Sequence, residues 1–300
     1  MESSDTPKPE ATEQNTLEAP VMNAAPARDT PGGPIRRLLN HRPLCVIAAA
    51  AVWSAGFMVF AHAVRPLVRL EGTVVGTFLS SVICMAAAFA STWILVKGRF
   101  RYLEAVAMLL LGVAVNLLAY RIVSGLGARM IVGFSIIAGG FGMASMLARM
   151  VESARFIVPI GVVAAVADVW SVAAGPTRKI LESKGSELVM RHAFVGKPAA
   201  AGISVQPISG AADIVFVGLF MCVAERLGLS VWRAAIGMFA GLAVGLAAAS
   251  AFGGLPGLPF IAGGFIIANW KEVRPGKSEI VRTAVFVVAM LAVFAIVGLI

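Results

Sequence analysis

The sequence predicts an all-α, polytopic membrane protein. Of the 300 residues, 59% are hydrophobic and only 14% are charged, and the mean hydropathy is +0.87. Soluble domains carry about 25% charged residues, so a soluble chain of this composition would lack the polar side chains to cover its surface. The apolar residues form long continuous runs rather than alternating patterns, which predicts membrane helices and not a β-barrel.

The composition excludes a soluble enzyme and a nucleic-acid-binding protein, although the formal net charge is +9. Lys and Arg residues in an apolar chain are typical of the flanks of membrane spans. We therefore expect the basic residues to contact the lipid bilayer and not nucleic acid.

The first 34 residues differ from the rest of the chain. They contain six prolines and six acidic residues and show no apolar periodicity. Such a segment buries too little apolar surface to offset the entropy lost on ordering, so we expect residues 1–34 to be a disordered polar tail. We expect residues 35–300 to form the transmembrane helical domain.

About nine apolar windows follow the tail, and a membrane-spanning helix needs about 20 mostly apolar residues. The repeated GxxxG pattern at 237–241–245 within one window predicts close packing of helices. Lys and Arg are more frequent on the side that holds the N-terminus, fourteen against nine, which favours a cytoplasmic N-terminus. The windows are 43–64, 73–96, 102–123, 126–148, 156–175, 211–228, 231–251, 256–270 and 281–300.

Two aspartates stand out in the apolar part of the chain. The sequence holds four aspartates, of which Asp5 and Asp29 belong to the tail, so Asp168 and Asp213 are the two in the membrane domain. Asp168 lies about 18 Å along its predicted helix, at 1.5 Å per residue. A carboxylate at that depth costs at least about 2.5–3.5 kcal/mol, so we expect it to face the bundle interior or a wet cavity.

Asp213 follows a polar stretch that contains Gly210, which predicts that this aspartate lies just inside the start of a helix. A third irregular segment, Gly253 to Phe260, contains two prolines and three glycines in an apolar context. It predicts either a loop between two helices or unwound backbone that lines a cavity. A short β-capable stretch lies at Ile203 to Val205, where the residues themselves predict an ordinary loop.

The two aspartates have no basic residue inside their own apolar runs. Two carboxylates without a cationic partner can share a proton, so that one is an acid and the other a base. Such a pair can activate water and protonate a leaving amine, which is peptide hydrolysis by general acid–base catalysis.

In these segments the chain resembles the GxGD-type intramembrane aspartyl proteases, the family of presenilin and signal peptide peptidase. That family has one catalytic aspartate within a helix, a second in a Gly-x-Gly-Asp motif that opens the next helix, and a Pro-Ala-Leu motif two helices later. Asp168, Gly210-Ala211-Ala212-Asp213 and Pro256-Gly257-Leu258 follow the same order. The resemblance covers residues 156–270.

The resemblance implies a presenilin-like bundle, with Asp168 and Asp213 as catalytic residues. It also implies that Gly210, Pro256, Gly257 and Leu258 shape the cleft and hold the substrate backbone. The partner it implies is a transmembrane protein or peptide, cut within the bilayer, and it implies no cofactor. The sequence departs from the family at three positions: Ala167 replaces a tyrosine, Ala212 replaces the second glycine of the first motif, and Gly257 replaces the alanine of the second.

Two other functions fit the same residues. The carboxylates could load and release protons in a proton-coupled transporter. The chain could also be a non-catalytic relative that binds membrane segments without cutting them. The three histidines, His41, His62 and His192, lack metal-ligand spacing, so we expect no metal site. The sequence leaves the oligomeric state open.

Overall fold

A computed structural model of the protein describes residues 42–63, 74–173, 175, 186–198, 205–252 and 255–299. The predicted tail, residues 1–34, and its boundary lie outside these ranges. The described chain is mainly helical, with one short hairpin. Its elements are α1 (Arg42–Ala63), α2 (Val74–Lys97), α3 (Tyr102–Ile122), α4 (Gly125–Ala148), a 3-10 turn (Ala154–Phe156), α5 (Ile157–Ala173), α6 (Ser186–Ala193), β1 (Phe194–Pro198), β2 (Val205–Gly210), α7 (Ala211–Arg226), α8 (Val231–Phe252), α9 (Leu258–Ala268), α10 (Trp270–Val273) and α11 (Lys277–Leu299).

Six helices in the described ranges are long and apolar enough to cross a bilayer, by length and composition. The prediction of a helical multi-pass membrane protein is therefore confirmed, whereas the count of nine spans is not. The windows at 73–96, 211–228 and 256–270 hold α2, α7 and α9, which are not among the six. The candidate spans are Arg42–Val59, Tyr102–Ile122, Gly125–Ala148, Ala154–Ala173, Val231–Ala249 and Lys277–Ile296, with shorter apolar helices at Ser81–Lys97 and Leu258–Ala268.

Helix α7 lies at the centre of the bundle and packs against α2, α4, α8 and α9. It is only 16 residues long, because it begins directly after β2 and ends at the polar pair Glu225 and Arg226. Its middle turns are buried, and Gly218 allows a close approach to Ala144 of α4. Asp213 in its first turn is therefore held by the most enclosed helix of the described fold.

The end of the bundle where α2, α4 and α7 end is rich in arginine, and we call it the arginine-rich end. Lys97 at the end of α2 forms an ion pair with Glu225 of α7, at 2.7 Å. Arg226 donates to the carbonyl oxygen of Ala148, the last residue of α4, at 2.7 Å. These contacts join three helix ends on one side of the membrane domain.

The strands β1 and β2 form an antiparallel hairpin with a bulge at Val195/Gly196. Val195 is fully buried, and β1 packs against α4. The hairpin departs from a purely helical fold. The β-capable stretch at Ile203 to Val205 overlaps it at Val205, the first residue of β2, while Ile203 lies outside the described residues. Since Gly210 both ends β2 and caps α7, the hairpin fixes where α7 starts.

The GxxxG repeat in α8 packs α8 closely against α9, as the pattern predicts. A methyl group added at Gly241 would collide with the carbonyl oxygen of Phe260, and one added at Gly237 with that of Gly264. Small residues let the two backbones approach where larger side chains would separate them. This contact fixes the position of α9, whose first residue, Leu258, lies at the aspartates.

Candidate active site

Asp168 lies two thirds of the way along α5 and is half-buried. Its Oδ2 accepts a hydrogen bond from the backbone N–H of Leu258, at 2.9 Å. The amide of Gly257 makes a weaker interaction with the same carboxyl group. Within the described ranges no Lys, Arg or His lies at ion-pair distance from Asp168. Main-chain amides therefore bind this carboxylate where a basic side chain would otherwise be needed.

Asp213 is the third residue of α7 and faces the helix start. Its Oδ2 accepts a hydrogen bond from Ser209 Oγ at 2.9 Å and another from the backbone N–H of Gly210 at 3.0 Å. Both donors come from the end of β2, so the hairpin and the helix together orient the carboxylate. The positive end of the α7 dipole also favours a negative charge at this position.

One peptide unit, Gly257-Leu258, lies against both aspartates. Its Leu258 N–H binds Asp168, while a methyl group added at Gly257 would lie 2.9 Å from Asp213 Oδ1 and 3.2 Å from Oδ2. The structure thus brings together three segments that the sequence singles out separately, around residues 168, 213 and 257.

The irregular segment before α9 provides this contact. Residues Leu255 to Gly257 are not helical, and α9 starts at Leu258 with Pro259 in its first turn. Proline lacks an N–H and is tolerated there, whereas the free N–H groups of the first turn need acceptors. The Asp168 carboxylate satisfies the amide of Leu258, which is buried.

Of the motif residues Gly210 and Pro256, Gly210 is the one that contacts an aspartate, through its backbone N–H. At Gly210 the backbone is extended, with φ −71° and ψ 158°, a conformation open to any residue. A methyl group there would have its nearest neighbours at 3.8 Å, which is ordinary contact. Gly210 therefore acts through its N–H and not through an opened backbone. Pro256 lies outside the helix and makes none of the hydrogen bonds to the aspartates.

A cavity of about 790 Å³ opens beside Asp168, between α5 and α11. Its wall is mainly apolar. Helix α5 contributes the carboxylate of Asp168 to this wall, and the start of α11 contributes Glu279 and Arg282. Ala212 and Leu258 complete the wall next to the aspartates. Apolar residues on the walls include Phe156, Ile160, Val163, Phe216 and Phe286.

A second cavity of about 670 Å³ lies between α3, α4, α6 and the start of α7. Asn116 and His192 line it and are joined by two hydrogen bonds: Asn116 Nδ2 donates to the His192 carbonyl oxygen at 3.1 Å, and the Asn116 Oδ1 to His192 Nδ1 distance is 2.8 Å. Ala212 lines both cavities, so the two cavities approach each other at the start of α7.

Sequence reasoning missed two parts of the site. The sequence motifs do not include Ser209. Its position four residues before Asp213, at the end of a strand, is the signal that could identify it as a hydrogen-bond donor to the Asp213 carboxyl group. The role of α11 as a wall has no signal in the sequence, because nothing in an apolar helix tells which neighbour it faces. In the structure Trp170 of α5 stacks on Phe294 of α11, with ring centroids 4.1 Å apart.

No protein-family model matches the chain, and no curated protein and no solved structure matches it either.

Proposed function

We propose that the chain is an intramembrane aspartyl endopeptidase that cuts transmembrane segments between Asp168 and Asp213. The observation that carries the proposal is the shared Gly257-Leu258 peptide, which touches both carboxyl groups although the three segments are far apart in sequence. The resemblance to the GxGD-type proteases supports the same assignment. We further propose that α2, α7 and α9 complete a nine-span bundle with a cytoplasmic N-terminus.

The proposed chemistry needs one proton shared by the two aspartates. The ionised carboxylate removes a proton from a water molecule, whose oxygen attacks the carbonyl carbon of the scissile peptide. The protonated aspartate donates its proton to the amide nitrogen as the carbon–nitrogen bond breaks. The products are a carboxylic acid and an amine, and the roles of the two aspartates are exchanged after each cycle.

The cavity between α5 and α11 fits the substrate side of this reaction. Its apolar wall suits a membrane segment, and Asp168 lies on that wall. A substrate helix must unwind before water reaches its carbonyl groups, and the unwound part needs hydrogen-bonding partners in lipid. The non-helical residues Leu255 to Gly257 offer backbone groups at this place.

The direct test uses purified protein in liposomes with a single-span reporter peptide. We expect Asp168→Asn and Asp213→Asn each to lower cleavage more than about 100-fold, because each removes a general acid–base group. Glu152→Gln is the matched control, since Glu152 is an exposed carboxylate away from the cavity. Equal cleavage by the wild type and both aspartate variants would overturn the proposal.

A second arm uses a peptide in which a secondary alcohol replaces the scissile carbonyl group. Its hydroxyl mimics the tetrahedral intermediate, and such analogues bind far more tightly than substrates. We expect tight binding that is lost in both aspartate variants. A proton-coupled transporter would instead show aspartate-dependent proton flux in liposomes without cleavage, and a non-catalytic relative would bind the reporter and release it intact.

A further inference from the structure

A third cavity, of about 420 Å³, lies at the arginine-rich end, between α2, α4 and α7. It is separate from the aspartates: none of Asp168, Asp213 and Gly257 lines it. Three arginines line it, Arg99, Arg149 and Arg226, together with a single carboxylate. Phe100 and Phe141 form an apolar floor, with their rings in edge-to-face contact at 5.5 Å.

The single carboxylate of this cavity, Glu225, is already neutralised. Lys97 Nζ lies 2.7 Å from its Oε2, and Arg99 Nη2 lies 3.2 Å from its Oε1. Among the described residues no other carboxylate lies at ion-pair distance from the three arginines. The cavity therefore carries the positive charges of Arg149 and Arg226 without a matching negative charge.

Main-chain carbonyl oxygens hold these two guanidinium groups in place. Arg149 Nη2 donates to the carbonyl oxygen of Phe100 at 2.8 Å, and Arg226 Nη1 donates to those of Ala148 and Val151 at 2.7 and 3.3 Å. A guanidinium has five N–H donors in a planar fork, so each retains donors for another acceptor. The carbonyl contacts fix the forks without neutralising their charge.

The backbone at the mouth of the cavity is strained. Arg99 has φ 45°, in the left-handed region. Among the described residues it is the only non-glycine residue with a positive φ. Such a conformation is uncommon for a residue with a side chain and is found at ligand-binding and functional sites. It places a side chain that is 75% exposed at the edge of the cavity, where it also contacts Glu225.

We propose that this cavity binds a phosphate group, either in the headgroup of an anionic lipid or as soluble phosphate. Arginine forks match the oxygens of phosphate in geometry and charge. Basic pockets between transmembrane helices near the membrane surface bind phosphorylated lipid headgroups in general. The apolar floor of Phe100 and Phe141 gives such a lipid a surface for its glycerol and upper acyl carbons, which soluble phosphate lacks.

Native mass spectrometry of the purified protein in detergent tests the site without any activity assay. The probes are short-chain phosphatidylinositol 4-phosphate, short-chain phosphatidylcholine, soluble inositol phosphate and inorganic phosphate. We expect the anionic lipid to bind, and Arg149→Gln/Arg226→Gln to weaken its binding about tenfold or more, since the double variant removes both unneutralised guanidinium groups. Arg274→Gln is the matched control, because this basic residue is exposed and does not line the cavity.

Loss of the carbonyl contacts could unfold the double variant, so Arg99→Glu provides an independent measurement. Arg99 is exposed, and its replacement reverses the charge at the cavity mouth without removing a contact to α4 or α7 main chain. We expect it to weaken binding while lowering thermal stability only slightly, because it removes one largely exposed ion pair with Glu225 and the pair of Glu225 with Lys97 remains. Phosphate or inositol phosphate binding that depends on these arginines supports a soluble ligand at the same site. Binding that is equal in the wild type, Arg99→Glu and the double variant, or equal for phosphatidylcholine, would overturn the proposal.

Discussion

The backbone N–H of Leu258 donates a 2.9 Å hydrogen bond to Oδ2 of Asp168, although the two residues are 90 positions apart in the chain. This bond connects the start of α9 to the middle of α5. It depends on the non-helical segment before α9, because a continuous helix would have used the amide of Leu258 in its own ladder. The neighbouring residue, Gly257, lies against Asp213, so the same turn positions both carboxyl groups.

Replacing Gly257 by alanine tests this packing. The added methyl group would lie 2.9 Å from Asp213 Oδ1, which is too close, and Asp213 cannot move freely because two donors hold its Oδ2. We expect Gly257→Ala to lower kcat for a single-span reporter about tenfold or more, with little change in thermal stability. The reason is that moving a reacting group by about 1 Å can lower the rate by this factor.

The matched control for this variant is Gly263→Ala on the same helix, since a methyl group there has nothing within 4 Å. Full activity of Gly257→Ala would show that Asp213 does not need its present position for cleavage.

Ser209 is a positioning residue, and its removal should affect rate more than binding. Ser209→Ala deletes the 2.9 Å hydrogen bond to Asp213 Oδ2 at a buried position. A hydrogen bond to a charged group is worth about 1.5–3 kcal/mol, so we expect kcat to fall about tenfold or more while KM stays near its original value.

Two variants accompany this measurement. Ser209→Thr keeps the hydroxyl group and should retain most of the rate. Ser91→Ala removes another buried serine hydroxyl, which donates to the carbonyl oxygens of Ala49 and Ala87 and not to an aspartate. A rate loss of equal size in Ser91→Ala would assign the effect of Ser209→Ala to stability alone.

The glycine contact between α8 and α9 should determine both stability and activity. A methyl group at Gly241 meets the carbonyl oxygen of Phe260, a backbone atom that moves only with the whole of α9. Overpacking of this kind costs about 1–3 kcal/mol, so we expect Gly241→Ala to lower the midpoint of thermal unfolding in detergent. Because α9 also carries Leu258, the rate of cleavage should fall with it. An unchanged midpoint would contradict the close packing of α8 on α9.

Access to the cavity beside Asp168 should depend on the separation of α5 and α11. The rings of Trp170 and Phe294 stack across this boundary. In a background without Cys45, Cys84 and Cys222, the double variant Trp170→Cys/Phe294→Cys can be joined by a reversible bifunctional thiol reagent. We expect the joined protein to lose cleavage of a transmembrane reporter and to regain it on reduction.

The single cysteine variants, treated with the same reagent, report any effect of the modification itself. Undiminished cleavage by the joined protein would show that substrates do not pass between α5 and α11.

The sequence was sufficient to predict the membrane class, the helical fold and the three segments of the candidate site. Composition determines the class, and Asp168 and Asp213 are identifiable because carboxylates are costly in an apolar run. The distances among these segments could not be predicted, since they depend on how α8 and α9 pack. The contact that Gly210 makes could not be predicted either, because a glycine in a motif does not reveal whether its flexibility or its N–H is used.

The number of spans cannot be determined from hydropathy alone, for a related reason. Hydropathy detects apolar windows, but α7 and α9 are apolar helices that also bury part of their surface against other helices. A helix enclosed in this way can be shorter than the bilayer and can begin beside irregular backbone. Sequence alone does not distinguish an apolar helix that meets lipid from one that meets other helices.

Helix α11 is the least buried of the six candidate membrane spans among the described residues. None of its Lys277–Ile296 segment is buried inside the protein, and its main partner is α5. Since few protein contacts fix the tilt of α11, we expect this tilt to respond to the thickness of the surrounding bilayer. We therefore expect the width of the opening beside Asp168 to depend on the acyl chain length of the membrane as well as on the packing of the protein.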